Sequence, residues 1–133
     1  MNDDQMLKDI LVSAKTIASV GLSSNPGKES FWIVKYLKDQ GYRIIPVNPT
    51  ADEILGEKAY PDLESVPETI DVVQVFRKPE DVPPVVDSAI KAGAKVVWMQ
   101  EGIVNEEAAQ KAREAGLQVV MDACMRVSHR RLI

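Results

Sequence analysis

Between the apolar run Thr16-Ile17-Ala18-Ser19-Val20 and the aromatic pair Phe31-Trp32 lies GLSSNPGKES, residues 21–30. A glycine directly after such a run lets backbone approach a ligand closely. Ser23, Ser24 and Ser30 add hydroxyl donors, and Lys28 adds a cation. If a helix follows, its free N–H groups and its dipole face the same point. That combination would hold a phosphate, although an ordinary polar strand-to-helix turn can share the composition. Gly21 and Gly27 are six apart, so the dinucleotide fingerprint G-x-G-x-x-G is absent. Gly27-Lys28 is followed by Glu29, which breaks the phosphate-loop pattern ending in Gly-Lys-Ser/Thr. An NAD site would also want an acid after the second strand, where this chain has Asn48-Pro49.

Other reactive types are sparse. The chain has 1 cysteine and 1 histidine, which excludes an internal disulfide, a cysteine-only metal site and a two-histidine metal site. Cys124 reads as a small buried residue at a strand end, although beside a bound thiol it could form a mixed disulfide. His129 sits in a basic tail with Arg126, Arg130 and Arg131 and no acid or nucleophile beside it, which suits a surface or packing role. Glu101 reads as a cap for the following helix or an orienting group for its loop, since no partner for a general base is identifiable. Arg77, directly after a strand, reads as a ligand contact at the switch point, with a solvated charge as the alternative. Trp32 and Trp98 read as core, the first on the apolar side of a helix and the second inside a strand.

These groups need elements to position them. Met6, Leu7, Ile10, Leu11 and Ala14 recur at helical spacing, and Thr16–Val20 follows as a buried strand. Ser30 is placed to cap a helix that runs to Gly41. Tyr42–Val47 is a second strand, followed by a polar loop with a short turn near Asp62–Val66. Val72–Phe76 is a third strand. Pro83-Pro84 fits only a first helical turn, so the next helix starts near Asp81 or Val82 and ends at Gly93. Lys95–Met99 is a fourth strand, Asn105 caps a helix with acids in its first turn, and Gln118–Met121 is a fifth strand. The segment from Cys124 to Ile133 carries no clear assignment.

Strands that are continuous apolar runs, alternating with helices, predict a parallel sheet covered on both faces. The expectation is one α/β domain over residues 1–133, a Rossmann-like, doubly wound open sheet of about five strands with helices on both faces. In such a sheet ligands sit beyond the carboxyl ends of the strands, where the strand order reverses. Those ends are residues 21–30, Asn48-Pro49-Thr50, Phe76-Arg77-Lys78, Gln100 to Val104 and Asp122-Ala123-Cys124.

Composition sets the outer limits. At 133 residues with 45% hydrophobic positions, the chain suits one compact domain. Its formal net charge of −4 argues against a broadly basic nucleic-acid-binding face, so a polyanionic ligand must be held locally. The N-terminus is charged from its third residue and the apolar runs are short, which predicts no secretory signal and no bilayer span. A cytoplasmic location is expected.

Six stretches in order resemble the stand-alone CoA-binding domain family, whose fold is similar to the N-terminal CoA-binding domain of the succinyl-CoA synthetase alpha subunit. They are TIASVGLSSNPGKES, KYLKDQGYRIIPVNP, LGEKAYPDLESVP, IDVVQVFRKPEDV, AGAKVVWMQEGIVNEEA and AGLQVVMDAC. The resemblance implies a site for coenzyme A or an acyl-CoA. Gly21, Leu22, Ser23, Ser24 and Lys28 would hold its pyrophosphate, and Asn48 and Pro49 would border the adenosine ribose. Phe76 and Arg77 would line the adenine and phosphate region, while Glu101, Gly102 and Ile103 would flank the path towards pantetheine. Three positions depart from the family pattern. Lys28 replaces a frequent arginine and loses its bidentate fork, Ala123 stands where many members have arginine, and Thr50-Ala51 stand where the synthetase has a lysine.

The expected function is a small nucleotide-ligand-binding protein without a catalytic centre of its own. Two alternatives are an enzyme or subunit acting on CoA thioesters with a partner, and a NAD-type redox protein. A protein partner or homo-oligomer is left open by the sequence.

Overall fold

The computed structural model describes residues 2–133. Asp3 caps α1 (Asp4–Ser13), its carboxylate accepting the Gln5 N–H at 2.8 Å. The apolar run Thr16–Val20 is β1, followed by α2 (Glu29–Asp39) and β2 (Arg43–Val47). The two-residue strands β3 (Glu53–Ile54) and β4 (Glu57–Lys58) pair antiparallel. Next come β5 (Val72–Val75), a 3₁₀ turn over Pro79–Asp81 and α3 (Val82–Lys91). The chain continues through β6 (Val96–Met99), α4 (Glu106–Glu114), β7 (Gln118–Val120) and α5 (Met125–Leu132).

Five strands pair in parallel in the order β2-β1-β5-β6-β7, the doubly wound sheet expected from the alternating pattern. The chain leaves β1 for β2 on one side and returns to β5 on the other. The order therefore reverses between β1 and β5, and a crevice opens beyond their carboxyl ends.

Alternation along each strand supplies two cores. Ala18, Val20, Ile45, Val47, Val73, Val75, Val97 and Met99 pack with buried residues of α3 and α4, such as Val86, Ala89, Ala109 and Ala112. Ile17, Ile44, Val72, Val96, Trp98 and Val120 pack with Leu7, Ile10 and Leu11 of α1, Ile33, Val34 and Leu37 of α2, and Met125 of α5. Pro46 lies in β2, an edge strand, where a missing N–H is tolerated.

Four details differ from the sequence reading. The polar loop after β2 contains the β3–β4 hairpin, and the tail after Cys124 is helical. The N-cap of α2 is Lys28, and Ser30 lies inside the helix. Trp32 is 49% exposed, because the buried stripe of α2 runs through Ile33, Val34 and Leu37 and Trp32 stands about 100° away from Ile33 at 3.6 residues per turn. Its indole N–H instead donates to the Pro26 carbonyl at 2.7 Å. Trp98, by contrast, is fully enclosed.

Candidate functional site

The loop between β1 and α2 is shaped by its own side chains. The Ser23 N–H donates to Ser30 Oγ at 3.1 Å, the Asn25 N–H to Ser23 Oγ at 3.0 Å, and the Gly27 N–H to Asn25 Oδ1 at 2.8 Å. With Trp32 holding Pro26 from the helix, the loop is built before any ligand arrives. Gly21 enters it at φ +87°, a backbone conformation that glycine adopts without strain. Among the described residues no side chain caps α2, so the first-turn N–H groups of Glu29 and Ser30 remain available to an anion.

These groups form one wall of a cleft of about 470 Å³. Gly21, Ser23, Lys28, Glu29, Ser30 and Ile33 line it from β1 and α2. Phe76 and Arg77 line it from the end of β5, Gln100, Glu101 and Ile103 from the end of β6, and Cys124 from the start of α5. Of the residues expected at a site, the structure thus gathers Gly21, Ser23, Lys28, Phe76, Arg77, Glu101 and Ile103. Neither Lys28 nor Arg77 joins a salt bridge among the described residues. Two uncommitted cations beside an uncapped helix start favour an anionic ligand.

The other expected residues stand around this cleft. Leu22 is fully buried, and its carbonyl accepts the Asn48 Nδ2 donor at 3.0 Å. Asn48 Oδ1 accepts from both the N–H and the hydroxyl of Thr50 at 2.8 Å, so Asn48 straps the end of β2 to the loop after β1. Ser24 is exposed. Pro49 lines a neighbouring cavity of about 190 Å³ with Pro61, Leu63 and Val85, and Arg77 borders both cavities. Gly102 donates its N–H to Asp122 Oδ1 at 2.7 Å, which anchors the loop after β6.

A buried polar row, hidden at the sequence level inside apolar strands, leads into the cleft. Ser19 Oγ donates to Gln74 Oε1 at 2.8 Å, and Gln74 Nε2 donates to Gln100 Oε1 at 3.1 Å. The Met125 N–H, at the start of α5, donates to the same Gln100 oxygen at 3.0 Å. Ser19 and Gln74 are register partners, and a strand period of two carries the row on past Trp98 to Gln100. The glutamine at position 74 of an otherwise apolar strand was the available signal.

The remaining reactive types have structural partners. Helix α4 is capped by Asn105, as its sequence predicted, with Oδ1 accepting the Ala108 N–H at 2.9 Å; Glu101 does not cap it and lines the cleft. Cys124 is buried, as expected, and also lines the cleft. His129 packs edge-on against Tyr36 and Tyr42, with Nδ1 2.8 Å from the Tyr36 hydroxyl. Burial pushes its pKa below the usual imidazole value of 6.5. Arg126, from α5, approaches Glu29 Oε1 only to 3.8 Å, while its Nε is enclosed without a partner among the described residues. Among the described residues no His, Cys, Asp and Glu cluster could hold a metal ion, and no helix is long and apolar enough to cross a membrane.

Residues 15–130 match the family model described as a CoA binding domain. The Bacillus subtilis protein YneT is 47% identical over 123 residues, covering 92% of this chain and 91% of its own. A solved structure of a protein from Pyrococcus horikoshii OT3 superposes with a TM-score of 0.95 at 44% identity, covering 98% of this chain and 92% of that one. An ADP-forming acetate–CoA ligase II of Archaeoglobus fulgidus is 37% identical over 83 residues. That match covers 61% of this chain but only 12% of the ligase.

Proposed function

The chain belongs to the CoA-binding domain family, and from that premise we propose that its cleft holds coenzyme A or an acyl-CoA. The observation that carries the reading is the convergence of Lys28 and Arg77 on Gly21 and the uncapped start of α2, at the reversal of strand order. A diphosphate is the ligand group that such a cradle stabilises. Lys28 and the backbone of residues 21–24 would contact it. Arg77 would reach phosphate from the neighbouring strand end, beside Gly21. The adenosine would lie towards Asn48 and Pro49 and against Phe76, and pantetheine would run past Glu101, Gly102 and Ile103. Among the described residues Cys124 is the one thiol lining the cleft and has no hydrogen-bonded base, and the reading is a binding protein that senses, stores or presents the ligand.

Titration calorimetry with coenzyme A, dephospho-CoA and NAD tests this reading. Coenzyme A is expected to bind most tightly; equal affinity for all three removes the selectivity. Mass spectrometry of ligand released from purified protein should find coenzyme A or a thioester of it, whereas a bound dinucleotide would favour the redox alternative.

A second reading rests on the ligase match. The chain would supply the CoA-holding part of an assembly whose partner carries out ligation. Nucleotide-dependent ligation by the protein together with copurifying polypeptides would support it, and inactivity of that mixture would set it aside.

A further inference from the structure

From the polarity of the buried row we infer that Gln100 Nε2 is a specificity donor for a neutral carbonyl in the ligand's non-nucleotide arm, which rests on the coenzyme A reading above. The start of α5 fixes that polarity. A backbone N–H can only donate, so the Met125 N–H requires the oxygen of the Gln100 carboxamide to face it. Gln74 must then turn its own nitrogen to that oxygen and its own oxygen to the Ser19 hydroxyl. The Gln100 backbone is also committed, its N–H to Val75 and its carbonyl to Ile103. What remains is Nε2, which has no partner among the described residues on a side chain that is 4% exposed and lines the cleft.

Nε2 is not enclosed as Arg126 Nε is, so it opens on the cleft, where a ligand oxygen can accept from it in place of solvent. Its surroundings indicate which oxygen. Ile33, Ile103 and Cys124 line the same cleft and are apolar, while Glu29 and Glu101 on the rim would repel a second anion. The cations Lys28 and Arg77 account for the phosphates. A neutral carbonyl fits the place that is left. The pantetheine arm carries amide carbonyls and, when acylated, a thioester carbonyl.

Gln100→Glu keeps an oxygen for Gln74 and Met125 and exchanges the NH₂ donor for an acceptor, and any repulsion from its added charge falls on the phosphates, which both probes carry. The probes are coenzyme A and 3′-phospho-ADP, which keeps the nucleotide and lacks the arm. The variant should bind coenzyme A about tenfold more weakly and 3′-phospho-ADP almost unchanged. Equal loss for both probes, or no loss for coenzyme A, overturns the assignment. Because the variant could fail to fold, the wild-type Gln100 carboxamide NH₂ resonances provide a second readout. They should shift with coenzyme A and stay in place with 3′-phospho-ADP, and no shift with coenzyme A overturns the assignment. If the wild type binds neither probe, the coenzyme A reading itself fails, and the role of Gln100 with it.

Discussion

Gly21 faces the Phe76 carbonyl so closely that a β-carbon built on Gly21 would stand 2.8 Å from the oxygen and 3.3 Å from Arg77 Nε. The obstacle at 2.8 Å is backbone on a central strand end, which cannot swing aside. Gly21→Ala therefore combines a clash with a positive φ, and should cost about 1–3 kcal/mol of stability. Thermal unfolding should show the loss, and calorimetry should show weakened coenzyme A binding because Arg77 is displaced. Wild-type stability in this variant would contradict the close approach.

Lys28→Ala and Arg77→Ala separate binding from folding. Neither residue joins a salt bridge among the described residues, so each variant should melt close to the wild type. Each should weaken coenzyme A binding by about 1–3 kcal/mol, the range for a charge-assisted hydrogen bond. Full affinity in both would move the phosphates elsewhere.

Asp71 joins the starts of three neighbouring segments. Its carboxylate accepts the N–H groups of Lys15 at 2.8 Å and Thr16 at 3.1 Å, and Lys95 Nζ lies 3.3 Å away. Desolvation raises the pKa of this carboxyl, but the two N–H groups and the ammonium outweigh it and leave the value below 3.8. A depressed carboxylate pKa contributes stability above its unfolded value and loses it as pH falls through the folded value. Asp71→Asn should cost about 1–2 kcal/mol at neutral pH. It should also flatten the stability decline below about pH 4, as measured by urea unfolding across the acid range.

His129 gives a second pH limb. Burial disfavours its charged form, and neutral Nδ1 can accept the Tyr36 hydroxyl proton. Its folded pKa lies below its unfolded one, so its stabilising contribution is complete above about pH 7 and is lost as pH falls below the ordinary imidazole value and through the folded one. Replacing it by phenylalanine, which keeps the aromatic packing against Tyr36 and Tyr42, should remove that decline. An unchanged pH profile would show that another group titrates there.

The strands were legible because each is a short apolar run closed by a turn residue: Thr16–Val20 in the structure matches its sequence bounds. Proline and asparagine chemistry marked the starts of α3 and α4 equally well. The β3–β4 hairpin was not legible, since its strands are two residues long and its turn places Leu55 at φ +56° before Gly56, where asparagine or glycine is the usual signal. Helix α5 was concealed by its charge. Its buried face is Met125, Ser128 and His129, two of which carry polar groups. At the site, strand ends could be named because parallel topology dictates where they open. Which of their side chains enter the cleft depends on the loop's own hydrogen bonds, and Gln100 depends on a row of partners drawn from β1, β5 and α5.

The missing cap of α2 also has an energetic consequence. A helix whose first turn lacks a side-chain acceptor gives up about 1 kcal/mol, and a bound anion would restore that acceptor. Because Ser30 and Trp32 already hold the loop from the helix, that gain would fall on the Glu29 and Ser30 N–H groups themselves.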